Sequence, residues 1–360
     1  MGKSTLLNAL LSDDLAIATP RPQTTRHAIL GVMTNQWSQL CITDTPGIIG
    51  TPAYGLQEGM MEAVRGAVRD ADVFLVVTDV YSGITKRDKD AEGGDEEIVE
   101  EENVLGIGEE MLAKLRKYEK PVIVCVNKVD LVAEERDGKK SSVYTNTPSR
   151  AIQTIQKWRS ALPDAFAILP TCAANGPDDP GVAALRSILL ANDPDADVGR
   201  AIRDLGRPVP GTFSNGAATL STEDARNILP EGPPLYHPDF FTDRTDRFCA
   251  SEIIREVLFG RLGKEIPYCC EVRVETFDES KRDLDRRAVI KIGATILVER
   301  DSQIGIVVGK GGTMIKDVGT DARKKLQEFL GTRIHLDLRV KVDKNWRNDE
   351  EKLKKYGYMS

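Results

Sequence analysis

The sequence predicts an α/β chain: a doubly wound parallel sheet, with its first strand missing, followed by a smaller α+β domain. Two observations carry this. Three apolar runs, at residues 73–77, 121–127 and 166–171, are uninterrupted in the manner of strands buried on both faces, and helical stretches separate them. Far downstream a glycine turn, Gly309-Lys310-Gly311-Gly312, stands between an apolar run and a long basic helical stretch, with a further strand pattern after it.

Each element follows in order. Residues 5–11 continue a helix that opens after Gly2-Lys3-Ser4, and a polar loop spans 13–25. Two short strands are expected at 28–34 and 39–44, the second ending in the turn Asp44-Thr45-Pro46-Gly47. A helix over 56–69 leads into the run at 73–77, and another near 149–162 lies between the second and third runs. Residues 88–110 hold 11 Asp and Glu against one Lys, which predicts a solvated or disordered acidic insert. The stretch 192–234, rich in Pro, Gly, Ser and Asp, reads as a linker. The expected organisation is therefore a nucleotide-type domain at 1–191 with its insert at 86–110, a linker at 192–234, and a second domain at 235–360.

Composition narrows the function classes. A chain of 360 residues allows two or three domains. The net charge is −7, yet residues 281–360 hold 19 Lys and Arg against 12 Asp and Glu, so a basic end sits on an acidic body and points to a polyanionic partner. Six cysteines, without CxxC or metal-ligand spacing, read as core thiols of a reduced compartment. Three scattered histidines argue against a zinc site or a histidine hydrolase and read as surface or packing residues. No apolar run approaches the ~20 residues of a membrane span.

Three fragments form one constellation. Gly2-Lys3-Ser4-Thr5 is the back half of a phosphate-binding loop, G-x-x-x-x-G-K-[ST], whose front half would precede Met1. An N-terminally truncated chain is expected, with weakened phosphate binding at this length. Asp44-Thr45-Pro46-Gly47 supplies an aspartate able to hold Mg²⁺ through water and a glycine whose N–H can approach a γ-phosphate. Asn127-Lys128-Val129-Asp130 supplies an aspartate able to accept both N1–H and N2–H₂ of guanine, which adenine cannot satisfy, and an asparagine able to tie this loop to the phosphate loop. All lie in order at predicted strand ends, where doubly wound folds bind ligands. Guanine nucleotide binding follows. Thr25, or Thr24 beside it, stands where a switch loop places a hydroxyl on Mg²⁺. At Thr171-Cys172-Ala173, Cys172 takes the place of the usual Ser, and Ala173 can still present its backbone N–H to guanine O6. Ile48 stands where Ras-like proteins carry a water-orienting Gln, so slow intrinsic hydrolysis is expected.

The loop Gly309 to Gly312 is a G-x-x-G of the kind that clamps about four nucleotides in KH domains, since its glycines permit close approach and a helix N-terminus favours phosphate. Lys310, Lys316 and Arg323 flank it. The apolar run before it, residues 304–308, reads as strand-like. Ile306, Val307 and Val308 read as core, and Trp346 as either core or a stacking platform.

With these motifs in place the chain resembles the Era family of ribosome-assembly GTPases, which join a G domain to a C-terminal type II KH domain. The resemblance covers residues 2–79, 121–173 and 229–357, and rests on PQTTRHAILG, ITDTPGI, NKVD, LPEGPPLY, SEIIRE, KEIPY and the VER-x-SQ-x-GIVVGKGG-x-MIK run. It implies GTP and GDP as ligands with Mg²⁺, and single-stranded RNA near the 3′ end of small-subunit ribosomal RNA as partner, with the pre-ribosomal particle and no DNA. By resemblance Lys3 neutralises the β- and γ-phosphates, Ser4 and Thr25 ligate Mg²⁺, Asp44 holds it through water, and Gly47 senses the γ-phosphate. This makes Lys3, Thr25 and Gly47 the catalytic set. Gly2, Thr5, Thr45 and Pro46 complete the phosphate side, while Asn127, Lys128, Asp130, Cys172 and Ala173 frame guanine. Gly309 to Gly312 clamp RNA with Lys316 and Arg323.

Two other readings stand beside this one: a non-catalytic KH protein with a degenerate G domain, and a Der-like GTPase. The second lacks support, because no second set of GTPase motifs is present. The inserts lean the expected location towards a mitochondrion or plastid, with bacterial cytoplasm as the alternative.

Overall fold

The computed structural model describes residues 1–16, 18, 19, 21, 23–80, 109–132, 135, 136, 139, 140, 149–205, 221–226, 228–263, 265–280 and 289–359. The acidic insert falls outside the described residues up to residue 108. In the first two-thirds of the chain the elements are α1 (Lys3–Leu11), β1 (Ile29–Thr34), β2 (Gln39–Asp44), α2 (Gly55–Asp70), β3 (Phe74–Asp79), α3 (Glu109–Lys117), β4 (Val122–Asn127), α4 (Ser149–Ala161), β5 (Ala167–Pro170), α5 (Pro180–Leu189), α6 (Val198–Asp204) and α7 (Thr222–Arg226). There follow α8 (Asp246–Arg261), β6 (Glu271–Asp278), β7 (Val289–Val298), α9 (Asp301–Val308), α10 (Thr313–Leu330), β8 (Arg333–Val342) and α11 (Glu350–Lys355). They gather into two compact units, residues 1–13, 32–40 and 68–240 in one, and 14–31, 41–67 and 241–360 in the other.

The first unit is built on the parallel sheet β3-β4-β5, with Phe74 opposite Val122 and Ile123 opposite Ala167. Every residue of β4 is buried, which is why its sequence shows no polar alternation. Ile155 and Trp158 of α4 and Val182, Leu185 and Ile188 of α5 are fully enclosed. Burying side chains of this size contributes roughly 2 kcal/mol each. The segment read as a linker holds α6 and α7, whose Val198, Ile202 and Ala225 are buried. Its small and polar residues disguised two short helices, each with only one or two apolar side chains to bury.

The second unit contains the sheet β8-β7-β6, in which β7 runs parallel to β8 and antiparallel to β6. Ile254, Leu258, Ile292, Ile296, Val298, Val307, Val318, Ala322 and Leu326 form its core. Residues 304–308 are helical, not strand-like. Gln303 reaches back and its Oε1 accepts the N–H groups of Glu299 and Arg300, both at 2.9 Å, which fixes the start of α9 three residues before the apolar run. Five apolar residues carry too little periodicity to tell helix from strand, whereas the cap decides it. Val307 is core as expected, but Ile306 is 49% exposed. Trp346 is core, its Nε1 donating to the Cys269 carbonyl at 3.1 Å. Five of the six cysteines are buried and Cys41 is exposed, on the open face of a two-stranded pairing of β1 and β2. No helix among the described residues is long and apolar enough to cross a membrane.

Candidate functional site

In the first unit the guanine loop and the start of α1 are tied by one side chain. Asn127, buried at the end of β4, donates through Nδ2 to the Met1 carbonyl at 2.9 Å, while its Oδ1 accepts the Ala173 N–H at 2.9 Å and the Thr171 hydroxyl at 3.3 Å. Gly2 caps α1 at φ +92° with no side-chain cap, and a Cβ there would run into Asn127 Nδ2. Glycine is therefore required at this point both for conformation and for space. Lys3, Ser4 and Thr5 form the first turn behind it, with the Ser4 side chain buried. The N-terminus of a helix, through its N–H groups and its dipole, favours an anion.

Lys128 follows Asn127 at φ +61° and its Nζ donates to Asp79 at the end of β3, at 3.3 Å. Asp130 is exposed at the loop's edge. The Cys172 thiol lies 3.0 Å from Asp130 Oδ1, and burial, reinforced by that carboxylate, pushes the thiol up to about 12. Cys172 thus stays protonated and acts as a donor that orients Asp130, the part a serine hydroxyl could play. The Ala173 N–H donates to Asn127 Oδ1, so a contact with guanine O6 would share or exchange that bond.

The second unit holds the other half of the motif set. Thr25 donates its hydroxyl to Asp44 Oδ2 at 3.3 Å, and both side chains are buried, 6% and 4% exposed. A hydroxyl and a carboxylate at this spacing are an oxygen-only donor set that suits Mg²⁺ rather than a softer metal. Thr45 and Gly47 are half-buried and Pro46 is buried, while Ile48 is 48% exposed. Thr24, also buried, directs its carbonyl to Arg255 and not its hydroxyl to Asp44, which favours Thr25 over Thr24 for the hydroxyl role.

The same unit carries the glycine loop. Gly309, at φ +77°, approaches Met314 so closely that a Cβ would lie 2.7 Å from the Met314 Cβ. Gly311 and Gly312 also have positive φ, but nothing lies within 4 Å of where their Cβ atoms would be. The first glycine is needed by the fold, and the other two leave a bare backbone surface at the head of α10. Beside it runs an open groove of about 370 Å³ lined by Ile315, Lys316, Gly319 and Arg323 of α10 and by His335 and Leu338 of β8. Lys310, Lys316 and Arg323 are all exposed. Apolar side chains interleaved with cations suit stacked bases whose phosphates follow the helix.

A second group of residues did not stand out from the sequence. Arg26 and Arg255 are buried, paired with Glu271 and Glu252. Glu252 and Arg255, three apart on α8 with Ile253 and Ile254 between them, form a charged pair on an apolar helix face, and that was the one signal available.

Comparison with known proteins gives the family. The family described as "50S ribosome-binding GTPase" matches residues 1–128, and "KH domain" matches residues 265–347. The GTPase Era of Geotalea daltonii is 32% identical over 99% of this chain and 94% of its own length. The chain belongs to the Era GTPase family. Another Era relative, "GTPase ERA1, chloroplastic" of Zea mays, is 31% identical over 99% of this chain and 68% of its own length. Among solved structures, Aquifex aeolicus Era Y63A bound to GDP·AlF₄⁻ matches all of this chain and 95% of its own, with a TM-score of 0.70 and 26% identity. Era in complex with MgGDPNP and nucleotides 1506–1542 of 16S ribosomal RNA matches with a TM-score of 0.69. An Era-family GTPase with a P-loop-class domain followed by a KH domain replaces the Der-like reading.

Proposed function

We propose that this Era-family chain binds and hydrolyses GTP with Mg²⁺ and uses its KH groove to hold the 3′ end of small-subunit ribosomal RNA during subunit assembly. The observation that carries the nucleotide half is the Asn127 bridge, which fastens the guanine loop to the start of α1 and leaves Asp130 exposed beside it. Lys3 then neutralises the β- and γ-phosphates, the first-turn N–H groups of Ser4 and Thr5 receive phosphate oxygens, and Gly47 meets the γ-phosphate through its N–H. Ser4, Thr25 and Asp44 hold Mg²⁺, which supplies charge neutralisation on the phosphates. Asp130 accepts from guanine N1–H and N2–H₂, steadied by Cys172, with Lys128 flanking the base. The exposed Ile48 supplies no hydrogen bond to a water, which supports slow unassisted turnover.

The RNA half rests on Gly311 and Gly312, whose open backbone admits a phosphodiester chain, and on Lys310, Lys316 and Arg323 along the groove. The known complex of Era with 16S ribosomal RNA supports the choice of RNA. Residues 1–191, 192–234 and 235–360 serve as the nucleotide domain, the connecting segment with its short helices, and the RNA-binding domain. A mitochondrial or plastid setting is supported by the chloroplastic relative, with bacterial cytoplasm the alternative given the bacterial ones. Binding of a fluorescently labelled 3′-terminal small-subunit RNA, with and without a non-hydrolysable GTP analogue, tests the reading. Saturable binding that responds to the analogue supports it, and equal affinity for an unrelated RNA of the same length counts against it.

A further inference from the structure

The residues on both sides of Thr25 are held by a buried polar network that no nucleotide motif contains. On one side, Arg255 Nη1 of α8 donates to the Thr24 carbonyl at 2.6 Å, while Nε donates to Glu252 Oε1 at 2.8 Å and Nη2 pairs with the other oxygen. On the other side, the Arg26 guanidinium donates to four acceptors: the carbonyls of Pro267 at 3.2 Å, Tyr268 at 3.1 Å and Cys270 at 2.8 Å, and Glu271 Oε2 at 3.2 Å. Glu271 Oε2 also accepts the Tyr358 hydroxyl at 2.6 Å, and the Tyr358 ring stacks on His27 with centroids 4.3 Å apart. Thr24, Arg26 and His27 are thus each anchored, and Thr25 between them directs its hydroxyl to Asp44.

Buried ion pairs of this kind seldom add stability over an apolar filling, because each charge loses its hydration, and in some proteins their role is to fix geometry instead. The arrangement here fixes one backbone segment. Burial would raise the Glu252 carboxyl, yet Arg255 holds it below its usual range, so that pair is ionised. We infer that Arg26 and Arg255 are positioning residues for Thr25, and that Glu252, Glu271 and Tyr358, from the C-terminal part of the chain, belong through them to the apparatus that discriminates GTP from GDP. The inference rests on the assignment of Thr25 to Mg²⁺ and deepens it. Thr25 is needed only when γ-phosphate and Mg²⁺ are both present. Loosening the network should therefore weaken the triphosphate state and spare the diphosphate state.

The test uses the full-length protein and measures affinity for a non-hydrolysable GTP analogue and for GDP, both with Mg²⁺, together with single-turnover hydrolysis. Tyr358→Phe removes one hydroxyl and keeps the ring, Glu271→Gln removes one charge, and Thr25→Ala is the reference. Tyr358→Phe and Glu271→Gln are expected to lower the GTP-analogue to GDP affinity ratio about threefold to tenfold, as for loss of one or two supporting hydrogen bonds. Added to Thr25→Ala they are expected to cause no further fall. A ratio unchanged in both variants, even with a lowered melting temperature, makes the network merely structural and overturns the inference. So does a fall that simply adds to that of Thr25→Ala. Guanine nucleotide binding by the unaltered protein that does not respond to Thr25→Ala overturns instead the metal role of Thr25, and this inference with it.

Discussion

Asp130 Oδ1 lies 3.0 Å from the Cys172 thiol, so the residue proposed to read guanine is steadied by a sulfur. The carboxylate must accept two donors from the base. Asp130→Asn turns one acceptor into a donor and should move preference from guanine to xanthine nucleotides. Competition of XTP and GTP against a labelled analogue measures this, and an unchanged order of preference would remove Asp130 from the base site. Cys172→Ser should keep guanine preference, since the hydroxyl is the stronger donor.

Gly311 sits at φ +62° with open space around it, and aspartate is among the residues that tolerate this conformation. Gly311→Asp should therefore leave folding and nucleotide binding intact and abolish RNA crosslinking, because its carboxylate faces the phosphate path. Gly309→Ala should behave differently. Its Cβ would press on Met314, and a loss of about 1–3 kcal/mol in unfolding free energy is expected.

Lys316 and Arg323 line the groove on its α10 wall. If each neutralises one phosphate, Lys316→Ala and Arg323→Ala should each weaken RNA binding at every sequence and lower the slope of log affinity against log salt by about 1. A loss confined to one RNA sequence, with the slope unchanged, would assign them to base contact.

His27 is held down to about 4 by burial, against an ordinary value of 6.5, so the folded chain resists its protonation. Between those values the unfolded chain binds the extra proton, and stability is lost as pH falls through the window. Wild type should lose about 3 kcal/mol relative to His27→Gln between pH 7 and pH 4. Denaturant unfolding of the two proteins across that range checks it, and parallel pH profiles would contradict it.

Much of the fold was legible because single local signals decided it. The uninterrupted run in β4 announced a strand buried on both faces, and Asn127 and Asp130 at its end are the base-site residues proposed here. Where two signals competed, the sequence misled: residues 304–308 looked like a strand until Gln303 was seen to cap a helix, and the polar stretch around α6 and α7 hid its few buried apolar residues. Of the Arg26 and Arg255 network only the Glu252–Arg255 spacing on α8 was legible. The segments these arginines join lie more than 200 residues apart in sequence, and no spacing rule connects them. The hydrogen bond from the Ala173 N–H to Asn127 is a finer detail that no local pattern announced.

Titration of the full-length protein with a fluorescent GTP analogue and Mg²⁺ tests the central claim most directly. The account predicts saturable binding displaced by GTP and GDP, not displaced by ATP, and lost on Lys3→Ala. Displacement by ATP as readily as by GTP, or binding indifferent to Lys3→Ala, would contradict it.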